Sequence, residues 1–297
     1  MQFIRNFFTA MIVFSVALVS CQKEIDWNTN QPTGSDSTYI ALAIALDTTL
    51  PVGTDTVQWV TFNYDAQKRL SVMTSLFRGA GTVLDTIQIG FAYNGNDTIP
   101  NKYVLDEKYH FGASRNYDQT TVFMNFSNGL VSYDSTLYMN LSTSTNNGAR
   151  VNRYLSSGST VTRYETNYDF VAGNYQLSYR DTGVYAVTTT LGNISSQSIL
   201  SGNGAYQQAT VTYDNKPNPI SKALKLRYQL FESPYFEVWS FQPSNTLQVQ
   251  FQEPFNPVFH ETYTYRYRAD GYPLSQTYQT DNGAASYNKA LYFYRTL

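Results

Sequence analysis

Over long stretches of this chain, apolar and polar residues alternate one by one. From Glu261 to Arg268, Tyr263, Tyr265 and Tyr267 fall on one side, and Thr262, Thr264, Arg266 and Arg268 on the other. Leu247, Val249 and Phe251 alternate with Gln248, Gln250 and Gln252, and Leu224, Leu226, Tyr228 and Leu230 with Lys225, Arg227 and Gln229. Successive side chains of a strand point to opposite faces, so this period of two predicts half-buried antiparallel strands. Turn-forming residues divide the runs at Asn94-Gly95, Asn128-Gly129, Asn147-Gly148, Ala172-Gly173-Asn174, Asp270-Gly271 and Asn282-Gly283. No stretch beyond the N-terminal apolar run carries the spacing of an amphipathic helix. The expected fold is all-β.

Several of these strands end in an aromatic residue followed by a polar turn. Phe62-Asn63-Tyr64-Asp65-Ala66-Gln67-Lys68-Arg69-Leu70 compares with Val211-Thr212-Tyr213-Asp214-Asn215-Lys216-Pro217-Asn218-Pro219 and with Tyr265-Arg266-Tyr267-Arg268-Ala269-Asp270-Gly271-Tyr272-Pro273-Leu274. Phe91 to Asp97 is a more degraded copy. Each reads as a hairpin: an alternating strand, a turn supplied by Asp, Asn or Gly, then a return strand opened by Leu or Pro. If hairpins pair with their neighbours, the product is a long antiparallel meander. So many strands must twist and hide their edges, which predicts a strongly curved sheet or open barrel. A transmembrane barrel is the competing architecture, but it needs an apolar outer band on nearly every strand, and Gln208 to Tyr213 is too polar for that.

The N-terminus supplies an address. Arg5 precedes an apolar core from Phe7 to Val19, and Leu18-Val19-Ser20-Cys21 ends it at the only cysteine. The core is too short to cross a bilayer as a mature helix, and the pattern is that of a bacterial lipoprotein signal. Residues 1–20 are therefore expected to be removed, leaving Cys21 as the first mature residue with acyl chains such as palmitate. A lone cysteine cannot close an intramolecular disulfide, and lipidation accounts for it. Each buried CH₂ adds about 0.8 kcal/mol to such an anchor. Residues 27–37 mix Asn, Thr, Gly, Pro and Ser without apolar periodicity, so 21–38 reads as a tether and 39–297 as one β-rich domain.

Two resemblances refine this. Gln22, Lys23, Glu24 and Asp26 resemble the signal that sends Bacteroidota lipoproteins to the outer face of the outer membrane. The Tyr-Asp hairpins resemble the YD-type repeats of bacterial surface proteins. Combined with the N-terminal motif, Tyr213 to Pro219 and Ala269 to Pro273 are similar to a group of Bacteroidota outer-membrane lipoproteins of unknown function. That similarity covers residues 57 to 297, and it implies architecture and a cell-surface location rather than any catalytic residue.

Charge and chemistry exclude more than they select. Charged residues make up 14% of the chain and the net charge is −2, which argues against nucleic acid as a partner. The two histidines, His110 and His260, are far apart and lack further metal ligands at useful spacing. No nucleophile elbow or phosphate loop is present. Among Glu107, Glu165, Glu232, Glu237, Glu253 and Glu261 nothing selects a catalytic pair. No cofactor, metal or enzymatic activity is expected.

Binding is better motivated, because aromatic residues form 16% of the chain and 26 of them are tyrosine. Tyr235 and Trp239 are the candidate aromatic binding residues. The Tyr263, Tyr265 and Tyr267 ladder reads as core, and so does Trp59. Asp-Ser/Thr motifs similar to Bacteroidota O-glycosylation acceptors mark Ser37, Thr48, Thr56, Thr86, Thr98 and Ser135. The expected function is a membrane-anchored envelope lipoprotein whose β-domain binds a glycan or protein partner at the cell surface. The alternative is a structural or assembly accessory of an outer-membrane complex, and a polysaccharide-acting enzyme comes third. A sugar binder should expose an aromatic platform, an assembly accessory an unpaired sheet edge or broad apolar patch, and an enzyme a cleft with facing carboxylates.

Overall fold

The computed structural model describes residues 37–51, 55–78, 84–111, 114–127, 130–187, 193–200, 206–225, 242–252, 258–281 and 288–297. Among them run sixteen strands: β1 (Thr38–Leu46), β2 (Thr56–Tyr64), β3 (Leu70–Arg78), β4 (Leu84–Ala92), β5 (Lys102–Phe111), β6 (Ser114–Ser127), β7 (Leu130–Asn140) and β8 (Thr145–Ser157). The second half continues as β9 (Thr160–Val171), β10 (Asn174–Val187), β11 (Ile194–Leu200), β12 (Tyr206–Pro217), β13 (Ser244–Gln252), β14 (Phe259–Tyr267), β15 (Pro273–Thr280) and β16 (Lys289–Thr296). Each strand pairs antiparallel with its sequence neighbours, and β16 returns to pair with β1, Thr38 opposite Thr296. The expected curved meander therefore closes completely. Closure removes the two outer edges that an open sheet of this size would expose.

The up-and-down order gives the barrel two distinct ends. The base holds the start of β1, the end of β16 and the β2–β3 and β14–β15 turns. The rim holds the β1–β2 and β9–β10 turns. Between β12 and β13 the base also carries a short helix, α1 (Pro219–Leu224), which the alternating pattern did not predict. Asn218 explains it: its side chain accepts from the backbone N–H of Ile220 and Ser221, and Pro219 opens the first turn with its φ already set. Leu224 thus ends a helix, with Lys225 as its left-handed cap, rather than opening a strand, and residues 226–230 of the expected Leu224–Leu230 strand lie outside the described residues. Lys222 ties α1 to the barrel by donating to the carbonyl of Thr38, 2.9 Å away, with its ammonium over the rings of Tyr39 and Tyr272.

Two apolar clusters fill the described interior. Val60, Phe62, Met73, Ile87, Ile89, Leu105 and Val122 form one over β2–β6, closed at the base by Ala223 and Leu224 of α1. Tyr154, Val161, Tyr185, Ile194, Val211 and Val249 form the other over β8–β13. The tyrosine ladder of β14 faces inward with half-buried rings, and Tyr263 lies 5.2 Å from Tyr278. Trp59 does not join the core. It alternates with buried Val60 and so lies on the outer face of β2, only partly covered. Asn147-Gly148 is not a turn either, but sits inside β8.

Gly148 has φ of +142°, and a Cβ there would come within 2.4 Å of the Tyr168 carbonyl oxygen on β9. The glycine is required here by the close approach of two strands and not by the expected turn.

Candidate functional site

Strands β12–β14 follow the simple expectation. Ala209, Val211, Val249 and Phe251 are buried, while Gln208, Thr210, Gln248, Gln250, Thr262 and Thr264 are exposed. Strands β7–β9 reverse it. Beside the apolar Val131, Tyr154 and Val161, their buried positions include Asp134, Thr136, Arg150, Asn152, Arg163 and Glu165, and their outward ones include Leu137, Leu155 and Tyr164, the last 46% exposed. Both flanks alternate, but on β7–β9 charged and polar groups share the inward positions with Val131, Tyr154 and Val161.

The inward groups of β7–β9 form an ionic network. Asp134 accepts from Asn152 Nδ2 at 2.9 Å and from the Tyr154 hydroxyl at 2.7 Å. Arg163 Nη2 stands 3.1 Å from Glu165 Oε2, Arg150 Nη1 stands 4.0 Å from the same oxygen, and Asn167 donates to Glu165 Oε1 at 2.7 Å. Burial pushes the Asp134 carboxyl up despite its hydrogen bonds and the nearby guanidiniums. Burial works against the charge of Arg150, but Tyr138, Glu165 and Asp134 outweigh it and its pKa is raised. Burial lifts the Tyr138 phenol to about 12. Two guanidiniums and two carboxylates balance in charge, so the network is a self-compensated core element.

Glu107 and Asp118 lie opposite each other on β5 and β6, toward the rim. The Tyr109 hydroxyl donates to Asp118 at 2.7 Å. Burial, then the neighbouring Asp118, raises the Glu107 carboxyl. Among the described residues no group of three or more His, Cys, Asp or Glu could hold a metal ion.

The outward side of β6–β10 ends in a projecting hairpin. Every residue from Val171 to Arg180 is exposed, ten in succession, so both faces of this segment meet solvent. Pairing explains the projection. β9 accompanies β10 from Val171↔Asn174 downward, whereas β11 meets β10 only between Thr182 and Val187. From Asn174 to Arg180, β10 therefore has β9 on one side and no strand on the other among the described residues. On the outer face, the Phe170 and Tyr175 rings meet edge-on at 5.0 Å, with Tyr168 opposite Leu177 beside them. Asn146 Nδ2 donates to the Tyr175 hydroxyl at 2.7 Å and ties the hairpin to β8.

The sequence-derived candidates are scattered. Cys21, Gln22, Lys23, Glu24, Asp26, Tyr235 and Trp239 lie outside the described residues. Ser37 and Thr98 are exposed at the base and Thr48 at the rim, while Thr56, Thr86 and Ser135 are half-buried on strands. His260 and Glu261 face opposite ways. His260 Nδ1 lies 3.0 Å from Asp281 on the outside, and Glu261 accepts from the hydroxyls of Tyr263 and Tyr278 within. Sequence reasoning missed the reversed flank and the free edge. The first was present as the Arg150, Asn152 and Arg163, Glu165 periodicity. The second shows only when the length of β9–β10 is set against that of β11.

No protein-family model and no curated protein matches the chain. Solved structures are similar to it. A porin-like protein from Bacteroides vulgatus superposes with a TM-score of 0.51 at 10% identity, covering 88% of this chain and all of that one. A porin-like protein from Bacteroides uniformis gives 0.45 at 13% identity, covering 87% and 97%. At this identity the likeness to the first is one of fold, an antiparallel barrel spanning nearly the whole chain.

Proposed function

We propose that the chain is a lipid-anchored, non-enzymatic outer-membrane protein whose barrel stands outside the bilayer and binds a protein partner with its rim hairpin. One observation carries this reading. The exposed aromatic hairpin projects from the end opposite the base, where the N-terminal segment bearing Cys21 joins β1. An anchor at Cys21 would hold the base toward the membrane and turn the hairpin outward.

The outer surface supports a barrel in water. Gln208, Thr210, Gln248, Gln250, Thr262 and Thr264 face outward on adjacent strands, where a transmembrane wall would be apolar. The interior supports a packed body: Phe62 and Val249 are almost fully buried, unlike the lining of a water-filled channel. A protein partner fits the broad outward apolar flank of β6–β10. A glycan is the second reading, favoured by the exposed rings of Tyr164 and Tyr175.

In-cell photo-crosslinking from positions 170, 175 and 177, against positions 250 and 264, tests the reading. Adducts with another protein are expected from the hairpin and absent from the glutamine-threonine wall. Equal yields from both sets would sink it. Protease treatment of intact cells separates surface display from a periplasmic orientation: loss of the domain in the native protein, and its protection when Lys23 and Glu24 are both alanine, is the expected pair of results.

A further inference from the structure

We infer that the outer edge of β10 from Asn174 to Arg180 is a strand-addition site, which takes an extended segment of a partner protein. This rests on the hairpin being the binding end, and it adds how the partner is held.

In an antiparallel strand, successive backbone N–H and C=O groups point to alternate sides. β9 takes one set along this segment, and the other set points sideways to the position that β11 takes only from Thr182 onward. Only another extended backbone offers acceptors and donors at the same spacing, so a free edge selects a strand. Among the described residues the neighbouring strand stops short of this edge: β11 ends at Leu200, paired with Thr182 on one side and with Tyr206 of β12 on the other. The usual guards of an exposed edge are thin here. Asn174-Tyr175-Gln176-Leu177 has no charge and no proline, and Arg180 is the only charged residue in the segment.

Side chains narrow the occupant. Tyr175 and Leu177 join Phe170 and Tyr168 on the outer face, while Gln176 pairs with Asp169 on the inner one. A matching segment carries an apolar residue at every second position on the outer side and polar residues between. The register shift between Leu177 and Tyr179 argues for a foreign strand over a second copy. Two copies paired about a two-fold axis would meet this bulge twice, once on each side of the axis. A regular strand meets it once.

The test uses the full chain in detergent and a phage-displayed library of random short peptides as the probe. Enriched peptides should alternate apolar and polar residues. N-methylation of alternate peptide nitrogens should weaken binding about tenfold or more in one phase and hardly at all in the other. Gln176→Pro and Leu177→Pro give the same contrast on the protein side: one removes an N–H from the free edge, the other an N–H facing β9. Both should keep the thermal midpoint of the native barrel, since the segment projects from it.

Peptides that are indifferent to N-methylation but lost on Tyr175→Ala would overturn strand addition and leave the binding end standing. Failure of the library to enrich would overturn it too, as would a native dimer by sedimentation that Leu177→Pro dissolves. Hairpin variants that leave the in-cell adducts unchanged would instead remove the underlying reading.

Discussion

The wall made by β8 and β9 and the wall made by β12 and β13 alternate alike, but the first turns charged groups inward beside Tyr154 and Val161. In β12–β13 the apolar residues Val211 and Val249 face the interior and glutamines face water, so the hydrophobic effect alone fixes the orientation. In β8–β9 the interior receives Arg150, Asn152, Arg163 and Glu165, while Leu155 and Tyr164 face out. There the inward charges compensate one another beside the buried Tyr154 and Val161, since one of these groups turned in without the others would be stranded. A closed ring lets its neighbours decide which face of a strand is inside. The reversed flank thereby gains an outward apolar surface, and that surface leads to the projecting hairpin.

The comparison breaks most visibly at Glu165. Glu165→Gln leaves the guanidiniums of Arg150 and Arg163 buried without their shared carboxylate, and breaking a buried ionic set in this way costs about 3–5 kcal/mol. The outward Gln250→Ala change on the opposite wall should stay within about 0.5 kcal/mol. Urea unfolding of the two variants checks the contrast. Equal midpoints would mean that the reversed flank is not held by its charges.

Gly148→Ala is the next largest effect. The added methyl meets the Tyr168 carbonyl in a backbone conformation that L residues avoid, so β8 and β9 must separate at about 1–3 kcal/mol. Gly173, at the hairpin tip, has a positive φ, but a methyl added there would meet nothing within 4 Å. Alanine there should be milder, on the order of 1 kcal/mol from backbone strain. A chemical denaturation series ranks the two.

Particular residues show how far the sequence carried this architecture. Gln248 to Gln252 and Thr262 to Arg266 announce strands because water on one side and core on the other impose a period of two. Asp65 and Asp270 announce their turns because their carboxylates accept local backbone N–H groups: that of Gln67, at 2.9 Å, for Asp65, and that of Tyr272 for Asp270. Closure was not legible, because pairing of β1 with β16 joins residues at opposite ends of the chain. Nor was α1, whose six residues are too few for a helical period and which depends on the Asn218 cap. Arg150 and Glu165 gave an alternating pattern, but alternation is silent about which face is inside. The candidate site suffered most: the free edge is a difference in strand length, and no single residue encodes it.

A smaller effect concerns pH at the boundary between the flanks. Glu107 faces Asp118 across β5 and β6, and burial followed by that neighbour raises its carboxyl pKa. A raised folded-state pKa gives stability that is present below the ordinary carboxylate range and lost as pH rises through the raised value. Glu107→Gln should therefore remove this fall in stability as pH rises from the ordinary carboxylate range to neutrality. It should also stabilise the barrel at neutral pH by up to about 1 kcal/mol, the scale of one like-charge cross-strand pair, reduced by solvent screening. Urea midpoints from about pH 4 to pH 7 test the sign, and a variant less stable at neutral pH would refute it.

The smallest effect on stability sharpens the comparison most. Leu155→Gln and Tyr164→Gln give the reversed flank the outer surface that β12–β13 already has. Both side chains are more than 40% exposed, so each change should shift stability by no more than about 0.5 kcal/mol. If the flank exists to be covered, the double variant should keep its unfolding midpoint and lose crosslinked adducts from position 170, because the apolar ground beside the hairpin has gone. If the outward leucine and tyrosine merely accompany the inward charges, the adducts should survive. Recruitment of partners would then depend on the hairpin alone, and the reversal would serve the interior.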